Sequence, residues 1–369
     1  MSSIRAVAEA AGVSKTTVSF VMNNTHPQVD RIPEETRERI RGIAAALGYQ
    51  GNPIAASIRT GKRPWIGVMT EVLQLDPRSW RWAPFFEVSL VYGIQRELAD
   101  HGYFTLLGLR HREDEVQDIE VLGSAKIGGL ILKAPQERVV QKAEGLLATG
   151  VPVVNVFPRQ SSHLFPYTVD LDNIAAGRLA AEIVIQAGSK NPACVGVLDH
   201  SEALHARQAG WAEKIRKELG VVPGVCELPL KPGGDPERID SEGAIKALRS
   251  FINTNRPDSL VAVGGGTSMM LTVALESLPV EVPRDLSIVG FDAFVVGNTK
   301  FRTMSSVGVS WCHAGEVAAH IIVELVETGT SRDLPRLLQP LFLPGDSTPP
   351  DLDNEFRVSD LADYVSSKR

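Results

Sequence analysis

The sequence predicts an all-α domain at the amino terminus, followed by a larger α/β body built from two parallel-sheet subdomains. The 369-residue chain is too long for one ordinary hydrophobic core. Residues 1–60 show helical periodicity, with small residues and caps where short helices begin and end. From Trp65 onward, short apolar runs alternate with amphipathic helical stretches, which is the pattern of βαβ units.

Charge is distributed unevenly along the chain. The formal net charge is −6, but residues 1–63 hold nine Lys and Arg against five Asp and Glu. A basic head on an acidic body favours a polyanionic partner at one end of the molecule only.

Composition argues against a membrane or secreted protein. The sequence has no run of about 18 apolar residues and no signal-peptide pattern in "MSSIRAVAEAAGVS". The three cysteines, Cys194, Cys226 and Cys312, are odd in number and widely spaced. Because this spacing suits reduced, buried thiols, we expect a cytoplasmic protein without a membrane partner.

The stretch "SIRAVAEAAGVSKTTVSFVMN" predicts two short helices joined by a tight turn. Ser3 and Ser14 can cap the two helices, and Gly12 supplies the left-handed geometry that ends the first. This is the spacing of a helix-turn-helix, whose second helix enters the DNA major groove. A functionless helical hairpin is the alternative. The expected inward residues are Ile4, Val7, Ala8, Ala11, Val13, Val18, Val21 and Met22, with Ile40, Ile43, Ala44 and Leu47 on a third helix that begins near Pro33 and closes at Gly48.

The segments "GVSKTTVSFVMN" and "RIPEETRERIRGIAAALGYQGNPIAASIRTGK" resemble the LacI/GalR family of bacterial transcription regulators. The resemblance extends over most of the remaining chain. It implies base contacts by Lys15 and Thr16 at the start of the second helix, with Thr17 and Ser19 beside them. It also implies phosphate contacts by Ser14, Asn23 and Tyr49. Phe20 stands where the family usually has arginine, so one contact is expected to be missing.

The segment "NPIAASIRTG" resembles the family's hinge, which becomes helical on operator DNA. Ile58 matches the apolar residue that wedges into the minor groove, and Asn52 and Ala55 lie in the same segment. The resemblance implies a homodimer on a pseudo-palindromic double-stranded operator. A plain interdomain linker is the alternative for these residues.

The body resembles the family's effector domain, which is similar to periplasmic sugar-binding proteins. Two successive βαβ series predict a cleft at the carboxyl ends of the strands, where open α/β sheets bind ligands. The expected domains are a helix-turn-helix head at 1–50, a hinge at 51–63, a body at 64–345 and a tail at 346–369. Within the body we expect a first subdomain of 64–168 and 297–312, and a second of 169–296 and 313–345.

The resemblance also implies a set of effector-binding residues. "ARQAGW" matches the segment in which an arginine, here Arg207, reaches the ligand, and Trp211 is expected in the core. "VGFDA" places Asp292 as an acceptor of ligand hydroxyls, and "VGVSW" places Trp311 as a stacking aromatic. "WAPFFEVSL" makes Phe85 and Phe86 candidates for the cleft wall.

Two departures from the family pattern concern the ligand. Phe157 stands where an aspartate is common, and Gly264 and Gly265 stand where Asn-Asp is common. We expect the two glycines to offer backbone groups to the ligand. The hypothesis is that the effector is a sugar-like molecule other than a plain neutral hexose or pentose, or that the cleft has lost its ligand.

Enzyme and cofactor motifs do not match. "GGGTSM" lacks the pattern of a phosphate-binding loop, and no GxSxG elbow occurs. His200 and His205 are five residues apart, which does not bring two metal ligands onto one helical face. The sequence therefore predicts a ligand-controlled DNA-binding regulator, most often a repressor in this family, without a cofactor or metal. The alternatives are a small-molecule binding protein that no longer acts on DNA and a sugar-processing enzyme.

Overall fold

The computed structural model describes residues 3–23, 29–49, 63–70, 85–108, 119–120, 123, 126–135, 137–158, 165–197, 201–230, 239–292, 300–331, 336–350 and 352. The chain divides into two compact units. The first, the head unit, comprises Met1–Trp65 with Lys126–Gly128, and the second, the body unit, comprises Ile66–Ala125 with Gly129–Arg369. Within the described ranges, no helix is both long and apolar enough to cross a membrane.

The head unit contains the three predicted helices: α1 (Ile4–Ala11), α2 (Lys15–Asn23) and α3 (Glu34–Ala46), with a 3₁₀ turn at Val29–Arg31. The capping predictions are confirmed. Ser3 Oγ accepts the Ala6 N–H at 3.3 Å, and Gly12 ends α1 at φ +64°, where a side chain would be strained. Ser14 Oγ accepts the Thr17 N–H at 3.0 Å and so caps α2.

The core of the head follows the predicted apolar stripe with one exception. Leu47 is 41% exposed, because α3 ends one residue earlier and the chain turns away at Gly48, φ +61°. The Tyr49 N–H then donates to the Ala44 carbonyl at 2.8 Å and closes the helix end. The buried residues of this core are Val7, Ala8, Ala11, Val18, Val21, Ile40 and Ala44.

The described residues of the body unit form two sheets, and the first has the strand order β11-β5-β4-β3-β1-β2. The pairings from β11 through β5, β4 and β3 to β1 are parallel. Helix α10 (Trp311–Thr328) packs on this sheet and along α4 (Phe85–Asp100), and α5 is Glu137–Ala148. The strands are β1 (Trp65–Met69), β2 (Phe104–Gly108), β3 (Gly129–Lys133), β4 (Val153–Val156), β5 (Thr168–Leu171) and β11 (Leu337–Leu338).

The second sheet has the order β12-β10-β9-β8-β6-β7. Its pairings are parallel except at β12, which is antiparallel to β10. Helices α6 (Asn173–Gln186), α7 (Glu202–Leu219), α8 (Ser241–Asn255) and α9 (Gly265–Leu275) pack against it. The strands are β6 (Pro192–Val197), β7 (Gly224–Leu228), β8 (Ser259–Ala262), β9 (Ser287–Phe291), β10 (Ser305–Gly308) and β12 (Leu341–Leu343).

The prediction of two α/β subdomains is confirmed, but the segments after residue 296 belong to other sheets than the ones expected. Strand β10 pairs with β9, so residues 305–308 belong to the second sheet, and the expected placement of 297–312 in the first subdomain is wrong. Helix α10 packs on the first sheet, and β11 pairs with β5, so 313–345 does not belong to the second subdomain as a block. The chain changes sheets after β5, after β10 and between β11 and β12. Apolar periodicity marks strands and helices but not which neighbour each one pairs with.

Each sheet and the helices packed on it form one half of the body, and in each half two helices cross at a pair of glycines. A Cβ on Gly177 of α6 would lie 2.8 Å from the Arg207 carbonyl carbon of α7, and one on Gly210 would lie 3.0 Å from the Ile174 carbonyl carbon. In the first half, a Cβ on Gly93 of α4 would lie 2.8 Å from the Cys312 carbonyl carbon of α10. The helices can approach this closely only because these positions carry no side chain.

Candidate functional site

The start of α2 presents a polar surface on the head unit. Lys15 and Thr16 are exposed in the first helical turn, and Ser14 is exposed just before it. Thr17 is half-buried, and its Oγ1 lies 2.8 Å from Ser14 Oγ. This surface carries donors and one cation at a helix N-terminus, where anions and base edges are favoured partners.

Not every predicted DNA-contacting residue lies on this surface. Ser19 is only 5% exposed, so it does not share the exposed surface of Lys15 and Thr16, and its contact with DNA stays a prediction. Tyr49 is half-buried at the end of α3. The side chain of Asn23, and all of Asn52, Ala55 and Ile58, lie outside the described residues.

In the body unit, Arg207 is the buried centre of a polar cluster, with 9% exposure. Its Nε donates to Asn173 Oδ1 at 2.8 Å. Its Nη1 donates to the Val263 carbonyl at 3.1 Å and lies 3.4 Å from Asp292 Oδ2. The guanidinium also lies over the ring of Phe291, 4.7 Å from the centroid. One arginine therefore joins the segments that follow β5, β8 and β9, at the carboxyl edge of the strands.

The fork geometry of Arg207 leaves a second amino group for a ligand. Its Nη2 makes no hydrogen bond to the part of the chain that the structure describes. Because Nε and Nη1 are already held, the guanidinium plane is fixed before any ligand arrives, which lowers the entropy cost of binding. Such a donor suits a hydroxyl or a carboxylate.

Asp170 and Asn173 complete this polar cluster. Asn173 is buried, and its Nδ2 donates to the Leu171 carbonyl at 2.9 Å, so its Oδ1 is oriented toward Arg207. Burial raises the pKa of Asp170 from 3.8 to about 6, although the Leu171 N–H and the Arg207 guanidinium favour the charged form. The Asp170 carboxyl, whose pKa is about 6, therefore changes charge in mildly acidic solution within the field of Arg207.

A second group lies at the carboxyl edge of the first sheet. The rings of Phe157 and Trp311 are 4.5 Å apart and tilted by 54°. Lys133, at the end of β3, lies 5.8 Å from the Trp311 ring and 2.9 Å from Glu87 Oε1. Both members of this ion pair are largely buried, at 13% and 6% side-chain exposure. The group offers an aromatic wall beside a fixed pair of opposite charges.

Gly264 was expected to offer backbone groups to the ligand, and the structure shows what those groups contact within the protein. Its N–H donates to Thr267 Oγ1 at 3.0 Å, and its carbonyl accepts from Thr267 Oγ1 and Ser268 Oγ at 2.8 and 2.9 Å. Its backbone groups are thus used within the cap of α9. A Cβ here would lie 2.9 Å from Leu204 Cδ2, so the glycine permits close packing against α7. Gly265 begins α9 and is half-buried.

The structure brings together some predicted effector residues and adds others. Arg207 contacts Asp292, and Phe157 contacts Trp311, whereas Trp211 is fully buried as expected of a core residue. The side chains of Phe85 and Phe86, on the first turn of α4, lie outside the described residues. The residues that were missed are Glu87, Lys133, Asp170 and Asn173. The sequence signal for the last three is their place at or just after the end of a strand, whereas Glu87 lies in the first turn of α4.

Two family models match the chain. Residues 3–52 match "Bacterial regulatory proteins, lacI family", and residues 181–348 match "Periplasmic binding protein-like domain". The two matches together cover more than half of the chain, and each falls on one of the compact units.

Curated relatives align over nearly the full length. The "HTH-type transcriptional regulator RegA" of Clostridium saccharobutylicum is 26% identical over 328 residues, covering 88% of this chain and 92% of that protein. The "Ribose operon repressor" of Lactococcus lactis subsp. lactis (strain IL1403) is 26% identical over 329 residues, covering 88% and 91%.

Solved structures share the fold. The lac repressor dimer bound to operator and the anti-inducer ONPF has a TM-score of 0.72 and 19% identity, covering 94% of this chain and 99% of that one. The transcriptional regulator CelR in complex with cellobiose has a TM-score of 0.60 and 21% identity, covering 94% and 100%. The chain therefore carries a lacI-family helix-turn-helix domain in its head and a periplasmic binding protein-like domain in its body.

Proposed function

We propose that the protein is a dimeric, sequence-specific DNA-binding transcription regulator of the cytoplasm, acting as a repressor under the control of a small sugar-like effector. The observation that carries the DNA-binding part is the capped, exposed start of α2 in a head that matches the lacI family model. The effector part rests on the polar cluster around Arg207 in a body that matches the periplasmic binding protein-like model.

The proposed DNA contacts divide into two kinds. Lys15 and Thr16 contact base edges, since they are exposed at the end of α2 that enters a major groove in this motif. Ser14 and Tyr49 contact phosphates and set the register. The hinge residues Asn52, Ala55 and Ile58 and the side chain of Asn23 remain predictions from the family resemblance. A symmetric dimer then places two such heads on a pseudo-palindromic operator.

The effector acts by changing the population of DNA-competent dimers. A ligand that binds one arrangement of the two body halves more tightly shifts the equilibrium toward it, by no more than its difference in affinity. We expect a ligand with a carboxylate or several hydroxyls at Arg207 and Asp292, and a ring face against Trp311. Gly264 and Phe157 provide no polar side chain to bind sugar hydroxyls. Their presence therefore supports an effector other than a plain neutral hexose.

The DNA-binding proposal is tested by selecting bound sites from random DNA with the full-length protein, followed by fluorescence anisotropy. We expect a pseudo-palindrome whose affinity falls steeply with salt. Lys15→Ala should weaken the selected site by about 10- to 100-fold, which corresponds to about 1–3 kcal/mol for one base contact. Arg39→Ala, an exposed charge on α3, is the matched control and should change affinity little.

Two results would count against this assignment. Failure to bind any selected pseudo-palindrome in a salt-dependent way would favour the alternative of a small-molecule binding protein without DNA regulation. Equal losses in Lys15→Ala and Arg39→Ala would mean that α2 contributes only general positive charge.

The effector proposal is tested by calorimetry with a panel of sugars, sugar acids and nucleosides. Arg207→Lys retains the charge but loses the planar fork, so the best ligand should bind at least about tenfold more weakly. Arg178→Lys is the matched control, since Arg178 pairs with Glu213 on the surface of the same half. Saturable binding of simple neutral hexoses at micromolar concentration would refute the proposed ligand class, and turnover of a sugar would favour the enzyme alternative.

A further inference from the structure

Helices α4 and α10 bring two histidines and a glutamate together on the surface of the body unit. Glu97 lies in the last turn of α4, His101 follows directly after the end of that helix, and His320 lies on α10, more than 200 residues later in the chain. His320 Nδ1 is 2.9 Å from Glu97 Oε1, and His101 Nε2 is 3.4 Å from the same oxygen. One atom from each of the three side chains lies within 4.8 Å of the others.

These distances match the donor spacing of a tetrahedral metal site. Zinc binds imidazole nitrogen and carboxylate oxygen at about 2.0–2.2 Å, so neighbouring donors in a tetrahedron are about 3.3–3.5 Å apart. The observed separations of 2.9 and 3.4 Å lie near that value. The donors of the two histidines lie within 4.8 Å of each other, so an ion bound between the three side chains would bring this pair to the same spacing.

The surroundings support this use of the histidines. His320 Nε2 faces Glu324 Oε1 at 3.7 Å, so a slight closure lets this carboxylate accept the other imidazole N–H. A carboxylate behind a ligating histidine fixes its tautomer and raises its basicity. The histidine side chains are 37% and 38% exposed, whereas Glu97 is 14% exposed, so an ion can enter from solvent and keep a water as fourth ligand.

The helix pair also supplies a rigid frame. Gly93 and Gly315 allow α4 and α10 to pack backbone against backbone, so the separation of the two helices is set independently of the metal ligands. A frame fixed by packing presents the donors at a nearly constant distance, which lowers the cost of forming the site.

We propose that Glu97, His101 and His320 form a binding site for one divalent transition-metal ion, with zinc the best fit, which ties α4 to α10. The chemistry of two imidazoles and one carboxylate favours zinc, cobalt, nickel or copper over magnesium or calcium, which prefer all-oxygen sites. The site is separate from the Arg207 cluster and does not depend on the proposed regulatory function.

The test uses untagged full-length protein, stripped with a chelator and then titrated with Zn²⁺ alone or Co²⁺ alone. We expect one ion per chain by calorimetry, tetrahedral-type visible absorption with Co²⁺, and an increase in Tm with Zn²⁺. His101→Gln and His320→Gln should each lower the Zn²⁺ affinity at least about tenfold and remove the increase in Tm. Glu97→Gln, which keeps the shape of the side chain, is the variant to use if a histidine variant folds poorly.

His205→Gln is the matched control, because His205 is an exposed helical histidine of the second half of the body. It should leave affinity, stoichiometry and Co²⁺ absorption unchanged. The proposal is overturned if the stripped protein binds neither ion, if binding is equal in the wild type and in the Glu97, His101 and His320 variants, or if His205→Gln lowers it as much as they do. Those outcomes would leave the three side chains as a hydrogen-bonded polar cluster.

Discussion

A single methyl group at Gly177 is expected to disturb the helix crossing that positions Arg207. In Gly177→Ala the new Cβ would lie 2.8 Å from both the Arg207 carbonyl carbon and the Trp211 amide nitrogen, and nearer still to the Arg207 carbonyl oxygen. Ordinary van der Waals contact begins at 3.4 Å, so α6 and α7 must separate by at least about 0.6 Å. The atoms in the way are backbone atoms, which cannot rotate aside.

The expected magnitude follows from two opposing effects. Overpacking a well-packed interior costs about 1–3 kcal/mol of unfolding free energy. Alanine gains back up to about 1 kcal/mol relative to glycine in a helix. The net expected loss is therefore up to about 2 kcal/mol. The same shift would lengthen the 2.8 Å bond between Arg207 and Asn173, so effector affinity should also decrease.

The assay is urea denaturation followed by circular dichroism, with Gly145→Ala as the matched control. Gly145 lies inside α5, is exposed, and has no atom within 4 Å of the position of an added Cβ. Its substitution should stabilise the protein by about 0.5–1 kcal/mol, because only the helix preference changes. If Gly177→Ala stabilised the protein as much as Gly145→Ala does, the inferred backbone contact between α6 and α7 would be refuted.

Three further predictions concern single side chains. Ser14→Ala removes the N-cap of α2 and should cost about 1 kcal/mol of head stability in a thermal melt; an unchanged melt would argue against the cap. Burial raises the pKa of Asp170 from 3.8 to about 6, so its contribution to stability is present in full below pH 4 and is lost as the pH rises through 6. At 1.36 kcal/mol per pKa unit, this decline in unfolding free energy amounts to about 3 kcal/mol between pH 4 and 7. Asp170→Asn should remove the decline when the unfolding free energy is measured in urea across this pH range. Parallel pH profiles of the wild type and the variant would contradict the prediction. Asp258 accepts two backbone N–H groups, of residues 190 and 191, at 2.6 and 2.9 Å. Asp258→Ala should lower the unfolding free energy by about 3 kcal/mol, and Asp258→Asn should lower it by less. Equal losses in the two variants would mean that the charge of the carboxylate does not contribute to stability.

Local sequence signals predicted the head well. Serine caps, the glycine after α1 and the apolar stripe together located three helices and their common core, because each signal acts within one helical turn. Leu47 was expected in the core but is exposed, because the last turn of α3 ends before it. Ser19 is buried because the packing of α2 on the other helices decides which way its side chain points. The polarity of serine alone did not predict this burial.

The candidate effector site was predicted only in part. Arg207, Asp292, Phe157 and Trp311 were named from the family resemblance, and the structure shows which pairs are in contact. Asn173 could not be paired with Arg207 from the sequence, because 33 residues separate them and their contact depends on the crossing of α6 and α7. The glycine run after β8 suggested a ligand loop, yet the structure uses Gly264 for a cap and for space beside Leu204.

The sequence by itself determined the elements: the caps, the apolar periods, the basic head and the motifs of the helix-turn-helix all act over a few residues. Only the tertiary structure decided that β10 joins the second sheet while α10 returns to the first, and that His320 meets Glu97 and His101. Strand pairing and helix crossing depend on backbone hydrogen bonds and on the fit of surfaces distant in sequence. Every strand offers the same backbone groups, so partners are chosen only when the whole body packs together.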